Sequence, residues 1–260
     1  MSNMLSWIAS KVKGVTRHHL EGVGAAVAAS IVIFYAVEIY RNRKKEKLVK
    51  HYSRSQSLGA LHGGKVAVQR ILEAQHARVD PSVLDGAEKE LKDQLAKRPL
   101  DFSKLQSAVG KLEMSGKEEM AVKMLIEEHK RAEKDGLYHE AYELDMVIVE
   151  MLIYKGDFKE AWNRKCLQDP EISDARRPLY NAIIKLMQGD RRHAEECWKE
   201  FKAIRYQFQW PHFLHEETAQ ADAVTRDFEG FETTVQNLKK EIVAIHRDKK
   251  MTTMRKQQNL

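Results

Sequence analysis

Residues 136–161 read GLYHEAYELDMVIVEMLIYKGDFKEA: a glycine, an alanine five residues later, a long apolar run, then glycine and alanine again at the same spacing. Glycine permits the sharp bend that ends a helix. Alanine a turn further on lets the next helix pack close against its neighbour. The pattern occurs four times, as Gly116 with Ala121 (GKEEMA), Gly136 with Ala141, Gly156 with Ala161, and Gly189 with Ala194 (GDRRHA). Repetition at this density predicts helical hairpins, at about 102–115 with 117–133, 138–155 with 157–168, and 176–188 with 190–205. Their first helices start 36 and 38 residues apart, the period of stacked helix pairs that bury their apolar faces only against one another.

Outside this series the spacing predicts two more helices within 60–97, and a pair at 213–228 and 231–247 with Gly230 in the bend. All five prolines lie beyond residue 80 and punctuate helices. Asp80 before Pro81 and Asp101 after Pro99 fit helix caps, because a short side-chain acceptor can take the free donors of a first turn. No alternating β-branched run is present, so the fold class is all-α.

Val23 to Tyr40, VGAAVAASIVIFYAVEIY, carries one charge, Glu38, and is followed by Arg41, Arg43, Lys44, Lys45 and Lys47. At about 1.5 Å per residue, Leu20 to Tyr40 reaches roughly 31 Å, the thickness of a bilayer core. This predicts an N-terminal single transmembrane helix. The cations after it outnumber Lys11, Lys13 and Arg17 before it, which places the C-terminal body on the cytosolic or matrix-like side. Small residues at four-residue spacing, Gly24 with Ala28 and Ala25 with Ala29, make a homodimer through the span an alternative to a lone anchor. Residues 1–20 lack acids and place Leu5, Ile8, Val12 and Val15 on one stripe, as an organelle-targeting helix does. A mitochondrial membrane, the outer one first, is the expected location, with the inner membrane or the endoplasmic reticulum as alternatives.

The anchor also accounts for the net charge of +6. Residues 1–57 hold ten Lys or Arg against three Glu, which leaves 34 basic and 35 acidic side chains in the rest. A cation-rich folded surface, the requirement for phosphate binding, is therefore not expected, and neither is a nucleic-acid partner. The end, MTTMRKQQNL, lacks apolar periodicity and reads as a solvated basic tail.

GLYHEA, GDFKEA and GDRRHA, supported by Leu105, Leu112, Leu125, Ala182 and Trp198, resemble the tetratricopeptide-repeat (TPR) family over roughly residues 100–205. The turn glycines are irregularly spaced, and the motif's closing proline is matched only loosely by Pro170. The resemblance implies a superhelical stack whose groove holds a peptide or helix of another protein. Chaperone-binding members of the family use a clamp of Lys, Asn and Arg. Here the first helices offer Lys104, Lys111, Asn181 and Lys185 without the clamp's spacing, so chaperone docking is not expected.

Other constellations read as structure. His212, His215 and Glu216 share a helix face but lack the spacing of a zinc protease. Glu140, Glu143, Asp145 and Glu150 read as solvated faces of a buried helix. Cys166 and Cys197 read as free thiols. Trp198 and Phe201 have core spacing, and Tyr206, Phe208, Trp210 and Phe213 read as a plug between the third pair and the last helices. No phosphate loop, nucleophile elbow or dinucleotide fingerprint is present, so neither an enzyme nor a cofactor is expected.

The chain thus divides into a basic flank (1–19), a transmembrane helix (20–40), a basic juxtamembrane segment (41–57), a helical lead-in (58–100), TPR-like repeats (101–208), a C-terminal helical pair (209–248) and a basic tail (249–260). The expected function is that of a membrane-anchored adaptor or scaffold for protein partners, or alternatively a structural subunit of an organellar membrane complex.

Overall fold

The computed structural model describes residues 54–62, 64–169, 172–207 and 227–258. The span expected at 20–40, its flank, the cations Arg41, Arg43, Lys44, Lys45 and Lys47, and the helix expected from 213 all lie outside the described residues, apart from the last two positions of that helix. So do His212, His215 and Glu216. Among the described residues no helix is long and apolar enough to cross a membrane.

Every regular element described is helical. Helix α1 covers 54–62, and α2 is Gly64–Val79, followed by a short 3-10 turn at Pro81–Leu84. Then come α3 (Ala87–Leu95), α4 (Phe102–Met114), α5 (Glu118–Lys134), α6 (Tyr138–Lys155), α7 (Phe158–Trp162), α8 (Lys165–Gln168), α9 (Arg176–Gln188), α10 (Arg191–Gln207) and α11 (Phe228–Gln258). Both expected caps form: Asp80 accepts from the Ser82 amide at 3.0 Å and Asp101 from the Lys104 amide at 3.1 Å.

The glycine-to-alanine spacing has one physical cause. At each of Gly116, Gly136, Gly156 and Gly189 the backbone turns left-handed, with φ between 71° and 87°. At the first, the Gly116 and Lys117 amides bond back to the Glu113 and Leu112 carbonyls, both at 2.9 Å, which closes the helix end. The Lys117 carbonyl then accepts from Ala121 at 3.2 Å and starts the next helix. The same three bonds recur at the other glycines, ending on Ala141, Ala161 and Ala194, and all four alanines are buried. Five residues is thus the distance from a left-handed stop to the first satisfied amide of the following helix.

Helix α6 is the centre: every residue from Leu144 to Tyr154 is buried. It packs most extensively on α5, across Gly136, and α9 does so on α10. The close partner of α5 is therefore α6, in place of the expected α4, because Ala132 and Ala141 on either side of Gly136 are small and buried.

The expected single helix at 157–168 is broken into α7 and α8. The cause is Asp145 of α6, whose carboxylate accepts from the Cys166 amide at 3.1 Å and binds the Arg164 side chain, capping a fresh helix start. Gly230 lies inside the first turn of α11 and not in a bend, because Asp227 caps that helix by accepting from the Gly230 amide at 2.7 Å. Helix α11 then continues to Gln258, so the tail expected at 249–260 is helical over nearly all its length.

The turn glycines are not equivalent. A Cβ at Gly136 would meet nothing, whereas one at Gly156 would sit 2.9 Å from the His246 ring and 3.2 Å from Ile242 of α11. Gly136→Ala is expected to cost about 1 kcal/mol in urea unfolding, from backbone strain alone. Gly156→Ala is expected to cost about twice that, because α11 must also move. Equal losses would show that α11 does not press on this turn.

Candidate functional site

Residues of α4, α6 and α9 all meet α1, through Glu113, Tyr154 and Tyr180 respectively, and so form one face for it. Arg54 enters at the end formed by the carboxyl terminus of α6. Its Nε donates to Glu113 Oε1 of α4 at 2.7 Å, its Nη1 to the Tyr154 carbonyl at 2.9 Å, and its Nη2 to Glu118 of α5. The guanidinium also lies 5.3 Å from the centre of the Tyr154 ring. Arg54, Glu113 and Glu118 are 0, 0 and 1 % exposed. Leu58 and Leu61 follow on the buried side of α1, and His62 reaches the other end, its ring packed edge-on against Tyr180 of α9 at 5.6 Å.

A second buried ion pair braces the first. Arg70 of α2 donates to Glu150 Oε1 at 2.7 Å, and the Tyr180 hydroxyl donates to Glu150 Oε2 at 3.2 Å. Burial pushes the Glu113 carboxyl up to about 7, against the pull of Arg54, and lowers His62 to about 4, against the pull of Glu150. Four buried polar atoms around this centre lack a hydrogen-bond partner: Ser55 Oγ, Glu113 Oε2, Arg70 Nη1 and the Tyr154 hydroxyl. Glycine at 59 lets α1 come close, since a Cβ there would lie 2.6 Å from Arg70 Cβ. Gly59→Ala would gain about 1 kcal/mol of helix propensity. It is nonetheless expected to lower the unfolding midpoint, because overpacking against a stem fixed by Glu150 costs about 1–3 kcal/mol. A raised midpoint would mean that α1 and α2 can part without loss.

The repeat glycines and alanines build this site without touching its polar groups, except that the Gly116 turn places Glu113 and Glu118 on either side of itself. The four family-clamp positions do not converge. Lys104 binds Asp101, Lys111 binds Glu90, Asn181 donates to the Leu167 carbonyl, and Lys185 stands over the Trp162 ring. Two of the acids expected on solvated faces are buried and paired: Asp145 with Arg164, and Glu150 with Arg70. Arg54, expected among the juxtamembrane cations, is fully enclosed, as Glu113 beside it is. Cys166 is buried with its thiol pushed up by burial, and Cys197 is half-buried; both are free.

An open cleft of about 810 Å³ lies between α6, residues 172–175 and α10, lined by Tyr138, Tyr142, Glu143, Asp174 and Ile204 among others. Three of its polar groups are tied up by Arg176 and by one another: Arg176 takes Glu143 with two bonds of 2.8 Å and also binds Asp174, which accepts from Tyr142 at 3.1 Å. Among the described residues no three His, Cys, Asp or Glu side chains converge as metal ligands. No family model, curated protein or solved structure matches the chain.

Proposed function

We propose that the protein is a single-pass, N-terminally anchored adaptor or scaffold whose TPR-like helical body binds other proteins, held at a mitochondrial membrane with the body facing the cytosol. The observation that carries this reading is the face shared by α4, α6 and α9, where residues from each helix cooperate to hold another helix. Support for the anchor is the apolar stretch 20–40 with Arg41, Arg43, Lys44, Lys45 and Lys47 after it. A carboxyl-terminal tag in intact cells should label proteins of the mitochondrial surface, and on isolated mitochondria it should be cut by added protease. A protected tag among matrix or inner-membrane neighbours would overturn the outer-membrane placement.

A structural subunit of a membrane complex is the second reading. It is favoured by the exposed stripe Val68, Leu72 and Val79 on α2, which a permanent neighbour would cover. Co-migration with a large assembly in native gels would decide for it.

A further inference from the structure

We propose that the face shared by α4, α6 and α9 is a receptor for an arginine-led apolar helix, that α1 is its resident occupant, and that partner helices of the same chemistry compete with α1 for it. The proposal deepens the adaptor reading and rests on that reading of the face.

The ligand chemistry is set by what α1 presents. Arg54 fills a pocket made of Glu113, Glu118 and the Tyr154 carbonyl, and Leu58 and Leu61, four and seven residues on, are fully buried in the hydrophobic core. A cation is required there, because two carboxylates that are 0 and 1 % exposed converge on one point. A lysine would meet this pocket less well, since one ammonium nitrogen cannot replace the separate bonds that Arg54 makes from Nε, Nη1 and Nη2.

Two features mark α1 as replaceable. Its fit leaves Glu113 Oε2 and the Tyr154 hydroxyl of the face buried without hydrogen-bond partners, and its own Ser55 Oγ likewise, so a helix offering partners to Glu113 and Tyr154 would bind better than the resident. In the sequence α1 is followed by Gly63 and Gly64, the pair of residues with the greatest backbone freedom, which would let α1 leave while α2 stays. An occupant that must first be displaced lowers the apparent affinity for a competitor by the fraction of molecules with the face open.

The test uses the full chain in detergent and a fluorescent peptide of residues 50–63. Leu58→Ala with Leu61→Ala in the chain loosens α1, and the peptide should then bind about tenfold more tightly than it does to the unaltered chain. The same peptide with Arg54→Ala should not bind. Loosened chains that pair by exchanging α1, and that separate when peptide is added, would support the same site. A loosened chain that keeps its helical circular dichroism yet captures no peptide, or captures both peptides alike, overturns the proposal. Hydrogen exchange on the unaltered chain guards against a variant that fails to fold: amides of 54–62 should open well before those of α6, and equal protection overturns the proposal. None of these outcomes bears on where the tag is cut, so the anchor and the receptor face fail separately.

Discussion

Arg54→Ala is expected to lower the free energy of unfolding by about 3–5 kcal/mol, the range for removing one partner of a buried ion pair. The loss comes less from the missing attraction than from what remains. Glu113 and Glu118 stay buried with no guanidinium between them, and the Tyr154 carbonyl loses a donor. Glu113 would relieve part of this by holding a proton, so the loss should be smaller at acid than at alkaline pH. Replacing Glu118 as well, with Gln, should restore part of the stability lost with Arg54, because one of the two carboxylates that converge on the emptied position becomes neutral. A loss below about 1 kcal/mol, the scale of a surface pair, would show that the Arg54 cluster is solvated. Truncation gives a second view of the same step. A chain starting at residue 54 keeps the arginine, whereas one starting at 58 loses it, and only the second should melt early.

The contrast between Arg54 and the turn glycines indicates what the sequence could convey. Gly116, Gly136, Gly156 and Gly189 act through local backbone geometry, and a local signal is legible in a string of residues: all four bends and both caps at Asp80 and Asp101 are where the pattern puts them. The all-α fold followed from the same signals. Pairing was less legible, since whether α5 leans on α4 or on α6 depends on which small residues meet across a turn. Arg54 was hidden by its neighbours, because a charge in a run of cations is read with the run.

Glu150 had a usable signal. Apolar residues surround it on every side of α6, and in a helix with no polar face a carboxylate must find a buried partner. That reasoning identifies a buried acid, but not Arg70, which reaches it from 80 residues away. Likewise the break between α7 and α8 depends on Asp145 arriving from another helix, and nothing within residues 157–168 announces it.

The stability of the body should be nearly level between about pH 4.5 and 6.5, because two buried groups titrate against each other there. Glu113 has its carboxyl raised from 4.5 to about 7, so its contribution is full below the ordinary carboxylate range and is lost as pH rises through 7. His62 has its ring lowered from 6.5 to about 4, so its contribution is full above 6.5 and is lost as pH falls towards 4. Each is worth on the order of 2–3 kcal/mol, with opposite slopes over the shared interval. The groups facing Glu113 are Arg54 from α1, Arg70 from α2, Glu118 from α5 and Tyr154 from α6; those facing His62 are Glu150, Arg70, Arg176 and Arg205. Single substitutions should expose the hidden slopes. With Glu113→Gln, which keeps an oxygen for Arg54 Nε, urea unfolding should become steadily harder from pH 4.5 to 6.5. With His62→Gln it should become easier over the same range and keep weakening to beyond pH 7. If both variants ran parallel to the parent, neither group would be titrating inside the fold, and the centre around α1 would be open to water.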